Sequence, residues 1–217
     1  MGFGVTLKLF VLTLVISIPL GFIFAFLSMS RIKIVSFLTK VFIWVIRGTP
    51  LLLQCVIVTF IPTALLKMPN KDFAAMLGLN SITSLQFVFV LFAFALNYAC
   101  YFAVIYEGGI KNVSVGQHEA GQVLGMTKGQ IFRHVVLMQV IRKITAPMSN
   151  EIITLVKDTA LARALSVLEI IAIAYEKVNR YAVLYPLLYA GLFYLAFSGV
   201  LTVLFHYIEK KLSYYKV

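Results

Sequence analysis

Residues 114–137 read SVGQHEAGQVLGMTKGQIFRHVVL, a polar, glycine-punctuated run in a chain that is otherwise mostly apolar. Ser114 is followed three residues later by Gln117, and Thr127 by Gln130. Each pair has the form of a capping box, in which two side chains satisfy free N–H groups at a helix start. Gly125 stands where the first helix would end in a left-handed residue, a conformation that glycine adopts at little cost. The spacing predicts a short helix, a tight turn and a second helix running on into apolar sequence. Something outside the bilayer should dock there.

Outward from this segment the chain turns apolar. Of its 217 residues, 61% are hydrophobic and 12% charged, a balance with which a soluble domain of this size cannot cover its surface. Residues 9–30 run 22 positions without a charge, 73–106 run 34, and 181–208 run 28. Roughly 20 residues cross the hydrocarbon core as a helix, so each window can span it. These windows predict an all-α integral membrane protein. The first is too long for a signal-peptide core and is followed by no clear small-x-small cleavage site, so it reads as a span. Cys55 and Cys100 lie inside apolar stretches and read as buried small hydrophobes rather than a disulfide or a metal site. The formal net charge of +11 does not point to nucleic acid, because the basic residues flank the apolar windows instead of clustering with aromatics on a soluble face.

About five spans follow, at residues 9–29, 41–61, 83–106, 142–156 and 184–206, in one domain over 1–217. The polar segment 112–137 falls between the third and fourth. Pro19 and Gly21 are expected to bend the first span. The fourth is interrupted by charge: 142–156 rises roughly 22 Å and ends at a charged cluster. Residues 165–175 either complete it or lie along the far surface. Eleven basic residues fall on the side holding 31–40, 111–143 and the tail from Glu209, and five on the other. The positive-inside rule then places the N-terminus outside, and the polar segment and C-terminus in the cytoplasm.

Several polar residues fall at membrane depth. Arg47 lies seven residues past Lys40, roughly 10 Å along a helix. It either snorkels to the headgroups or serves a pathway. The sequence Gly48-Thr49-Pro50 favours the pathway: Pro50 has no N–H, the Ile46 carbonyl loses its partner, and the helix kinks. Irregular backbone at this depth is tolerated where it faces protein or a watery cavity. Lys157, Asp158 and Thr159 sit together, with Glu151 nearly two turns earlier. Ionisable groups within spans tend to mark substrate paths, whereas an interfacial Lys–Asp pair is the plainer alternative. Gln54, Asn97, Tyr98 and Tyr101 each suit helix–helix hydrogen bonding and count toward a pathway only together. No HExxH, GxSxG, metal cluster or GxxxxGK[ST] loop occurs, so no catalytic, metal or nucleotide site is expected in this chain.

These residues resemble the membrane subunit of bacterial ATP-binding cassette importers, in the polar amino acid permease family. That family's cytoplasmic signature is EAA, three residues, Gly, nine residues, then Ile-x-Leu-Pro. Glu119-Ala120-Gly121, Gly125 and Val135-x-Leu137-Met138 match it at the same spacing. RGTPLL at 47–52, GQHEAGQVLGM at 116–126 and LVKDTAL at 155–161 extend the similarity along the chain. The resemblance implies a five-helix permease in the bacterial plasma (inner) membrane, paired with itself or a homologous permease. It implies a coupling helix, with Gln117, Glu119, Ala120, Gly121, Gly125 and Met126, that inserts into an ATPase subunit. That partner would bind ATP and Mg, this chain carrying no cofactor, and an extracytoplasmic binding protein would deliver an amino acid. Met138 stands where proline is usual, Gly121 where alanine is, and Ala160 where serine is common. Val104 and Glu107 stand where the family commonly has glutamate and arginine. The last two departures motivate an alternative, a membrane scaffold or sensor that binds the ATPase without translocating substrate.

Overall fold

In the computed structural model, which describes residues 2–79 and 81–212, the organising contact is between two long helices. These are α1 (Gly2–Ser28) and α5 (Ile82–Lys111). Thr13, Ser17, Gly21 and Ala25 recur every four residues, lie on one face of α1, and are buried. A Cβ on Gly21 would fall 2.8 Å from the Phe102 Cβ and 2.9 Å from the Ala99 carbonyl oxygen. The backbones therefore meet at a distance only glycine permits, the packing mode membrane helices use where lipid offers no hydrophobic driving force. On the other face, Val15, Ile18, Ile23 and Phe26 are exposed, an apolar surface left open by this chain. The helix is continuous through Pro19. It also begins before the predicted position 9, because Lys8 is accommodated within it, its ammonium 5.2 Å from the Phe87 ring centroid.

The predicted second span is instead two helices, α2 (Lys33–Gly48) and α3 (Leu51–Leu65), set at 109° to each other. The expected kink is a break. Thr49 is extended, as a residue before proline prefers, and Pro50 (φ −61°, ψ 132°) is extended too. The polar link expected over 31–40 is largely the first part of α2. A short helix, α4 (Asn70–Met76), interrupts the following link.

The polar segment folds as α6 (Val115–Val123), a turn, and α7 (Lys128–Ile131). A π-helical turn, Phe132–Val136, joins α7 to α8 (Leu137–Asp158), so one rod runs from Lys128 to Asp158. The predicted fourth span is thus longer at its start than 142–156, and proceeds without a proline kink where Met138 stands. A 3₁₀ segment, Thr159–Leu165, and a left-handed Ser166 lead into α9 (Ile170–Tyr181), followed by α10 (Tyr185–Leu212). Residues 165–175 therefore turn away instead of completing the span.

Among the described residues, α1, α5 and α10 are long and apolar enough to cross a membrane, and the bent pair α2–α3 qualifies as a fourth, broken span. The fourth predicted span, α8, does not qualify on composition, since it carries Arg142, Lys143, Glu151, Lys157 and Asp158. It depends on its neighbours: Leu155 and Val156 are fully buried beside Leu9, Phe94, Tyr98 and Phe102 in the core. Residues 213–217 of the predicted basic tail, including Lys216, lie outside the described residues.

Candidate functional site

The break between α2 and α3 frees the Ile46 carbonyl, and two side chains answer it, Thr49 Oγ1 at 3.3 Å and, more closely, Gln54. The Gln54 amide nitrogen donates to the Ile46 oxygen at 2.6 Å, and reaches the Thr49 oxygen at 3.1 Å and Thr49 Oγ1 at 2.8 Å. Its oxygen in turn accepts from Asn97 Nδ2 of α5 at 3.0 Å. Gln54 therefore holds the break open and ties it to the central helix.

Behind this break lies a polar pocket of about 500 Å³. It is lined by Arg47, Thr49, Asn97, Tyr98, Tyr101, Glu151, Thr154 and Asp158, with backbone from Gly48 to Leu51. The Arg47 guanidinium sits over the Tyr101 ring, 4.8 Å from its centroid, so it points into the cavity and does not snorkel away. The Tyr98 hydroxyl donates to the Asp158 carboxylate at 2.7 Å. Among the described residues Arg47 forms no ion pair with Glu151 or Asp158. One guanidinium and two carboxylates thus line a cavity without neutralising one another.

Seven of the ten pathway candidates line this pocket, and Gln54 supports it from behind. Lys157 and Thr159 do not line it. Lys157 is exposed, and Thr159 is buried, its hydroxyl donating to the Val156 carbonyl at 2.6 Å and lying 3.4 Å from the Tyr194 hydroxyl. The physical reason is helical period: residues 151, 154 and 158 share one face of α8, and 157 and 159 point elsewhere. The same period exposes the missed residue, Thr154. A second group missed is Glu169, fully buried, which caps α9 by accepting from Ile171 N at 2.7 Å and Ala172 N at 2.6 Å. The Tyr194 hydroxyl also donates to it, at 3.1 Å.

The departures at Val104 and Glu107 fall outside the pocket. Val104 packs against the core, and Glu107 accepts from Ser28 Oγ at 2.6 Å and pairs with Lys111, fastening α5 to the end of α1.

In the polar segment, the Thr127–Gln130 capping box is formed. Gln130 Oε1 accepts from Thr127 N at 2.8 Å, and Thr127 Oγ1 accepts from Gln130 N at 3.4 Å. The Ser114–Gln117 box is not. Ser114 makes no side-chain cap, because Gln117 turns toward the rod, where its oxygen accepts from Gln139 Nε2 at 2.9 Å. Gly125 is left-handed, φ +72°. Met126 N donates to the Gly121 oxygen and Gly125 N to the Gln122 oxygen, at 3.0 and 2.9 Å, which is a Schellman close. Gly121 is buried, and a Cβ there would come within 2.7 Å of Ile131 Cγ1, so α6 is seated directly on the base of the rod. Glu119 and Ala120 are exposed. So are Val123 and Leu124, at 87% and 78%.

Apolar membrane helices, a polar cavity at a helix break, and a capped segment that bares apolar side chains together define a membrane transport subunit. Residues 17–214 match the family described as the inner membrane component of binding-protein-dependent transport systems, and the chain belongs to that family. It is 30% identical over 214 residues to the arginine transport system permease protein ArtQ of Bacillus subtilis (strain 168), covering 98% of this chain and 91% of that protein. It is 32% identical over 209 residues to the octopine transport system permease protein OccM of Rhizobium meliloti, covering 96% and 83%. The L-cystine transport system permease protein TcyB of Bacillus subtilis (strain 168) is 30% identical over 218 residues, covering 99% and 86%. A crystal structure of an amino acid ABC transporter with histidines shares the fold at a TM-score of 0.78 and 27% identity, covering 97% of this chain and 92% of that one. An inward facing methionine ABC transporter, MetNI, does so at 0.69 and 18%. The chain is thus a multi-pass inner-membrane permease subunit, a transporter component and not an enzyme. Membership implies an ATPase partner and a companion permease. The relatives' transport role sets aside the scaffold that moves nothing.

Proposed function

We propose that this chain forms the translocation pathway of an ATP-driven importer for polar amino acids, with the pocket behind the α2–α3 break as its substrate site. The observation that carries this reading is the pocket itself, where Arg47, Glu151 and Asp158 line one cavity as separate charges. Unpaired charge in a low-dielectric setting is costly unless wet or met by a ligand. A zwitterion meets it: Arg47 takes the α-carboxylate, and one carboxylate takes the α-ammonium. The second carboxylate then favours a side chain with a cation or a hydrogen-bond donor. The arginine and octopine systems among the relatives support that preference.

The exposed face of α6, with Glu119, Ala120, Val123 and Leu124, docks a separate ATPase that binds ATP and Mg. Gln117, Gly121 and Met126 shape that face from within, and the exposed, left-handed Gly125 closes the helix. Two permeases pair around the pathway, and an extracytoplasmic binding protein delivers the substrate. The N-terminus lies outside and the polar segment inside, as the basic-residue excess directs. The test is reconstitution of the chain with its ATPase and binding protein in vesicles. ATP-dependent accumulation of a labelled polar amino acid, competed best by cationic ones, supports the reading. Absence of accumulation with all subunits present refutes it.

A further inference from the structure

A second cavity, of about 510 Å³, lies between the first turn of α1, α9 and the start of α10. Its character is opposite to that of the substrate pocket. Ala174, Pro186 and Ala190 are buried and line it. Phe3 and Phe193 close one wall edge to face, with centroids 5.0 Å apart. Tyr185 and Tyr189, in edge contact at 5.8 Å, stand exposed on its rim, the amphipathic side chains that gather at membrane interfaces. The slot opens onto α10, whose apolar window is only 6% buried by the rest of the chain.

Cations stand at its mouth. Lys177 lines the slot, and Arg180, one turn further along α9, lines an adjoining hollow of about 120 Å³ that also holds Glu176. Among the described residues neither Lys177 nor Arg180 forms an ion pair; the Arg180 guanidinium rests 5.5 Å from the Tyr181 ring centroid. An apolar slot ending in two unpaired cations matches a molecule with a hydrocarbon tail and a phosphate.

We infer that this slot binds one phospholipid with an anionic headgroup. Its acyl chain lies among Phe3, Ile173, Ala190 and Phe193, and its phosphate meets Lys177 and Arg180. Bound there, the lipid fastens α9 and the start of α10 to α1. The inference requires only insertion in a bilayer and stands apart from the substrate reading.

The experiment is native mass spectrometry of the transporter, purified in mild detergent with the subunits that copurify and titrated with phosphatidylglycerol or phosphatidylcholine. Wild type should retain one phosphatidylglycerol per copy of this chain, with roughly tenfold preference over phosphatidylcholine, from the attraction of two surface cations. Lys177→Gln/Arg180→Gln should bring the two lipids near parity with an unchanged melting temperature, and Ala190→Phe should expel both. Equal retention by wild type, or an undiminished preference in the double variant, overturns the site. So does efficient disulfide cross-linking between two Tyr189→Cys copies, which would make this face an interface between chains.

Discussion

Pro50 cannot donate to the Ile46 carbonyl, so a chain that breaks there leaves an acceptor bare at membrane depth. The Gln54 amide supplies the missing donor and passes its oxygen to Asn97. Gln54→Leu should therefore lower the melting temperature of the purified subunit, since a buried acceptor left unpaired costs about 1–3 kcal/mol. An unchanged midpoint would mean that water or another group serves the carbonyl equally well. Arg47 and Pro50 were legible in the sequence because each is out of place in an apolar run. The role of Gln54 was not, since it depends on the 109° turn that brings its amide back over Thr49. Lys157 and Thr159 were grouped with Asp158 by adjacency, whereas a helix groups residues by period. Glu151, Thr154 and Asp158 satisfy that period, and the pocket collects those three.

From Lys128 to Asp158 the chain is one continuous helical run that contains a π turn at Phe132–Val136 and Pro147 in its interior, and a 3₁₀ segment follows it from Thr159. Such irregularities mark functional hinges more often than chance placement does. The rod carries Glu151 and Asp158 near one end, while α6 sits on the other through Gly121 and Ile131. A push on α6 thus has a continuous helical route to the pocket. Glu119 is exposed at the middle of α6, so Glu119→Ala should leave subunit abundance unchanged while ATPase copurification and uptake fall at least tenfold. Full retention of both would remove the docking role. At this scale the sequence was informative about the segment's outline, since the Thr127 cap and Gly125 turn follow from local chemistry. It misled at Ser114, where the tertiary bond between Gln117 and Gln139 overrides the local cap.

For the whole molecule, uncharged length made α1, α5 and α10 plain, because nothing else suits such windows. The rod's passage through the bundle was harder to read, as its burial comes from neighbours and not from its own apolarity. Orientation is testable directly. With Cys55 and Cys100 both buried, a cysteine replacing exposed Lys128 should react with an impermeant thiol reagent only in inside-out vesicles, and one replacing exposed Lys177 only in intact cells. The opposite pattern would invert the topology. The central claim is that the pocket behind the broken helix is the path the substrate takes, and two adjacent residues decide it. Asp158 lines that pocket and Lys157 does not. ATP-driven uptake should be measured in vesicles reconstituted with Asp158→Asn or Lys157→Met at matched subunit abundance. The pocket predicts a loss of at least tenfold for Asp158→Asn and less than twofold for Lys157→Met. Equal losses, or a larger one at Lys157, would contradict it.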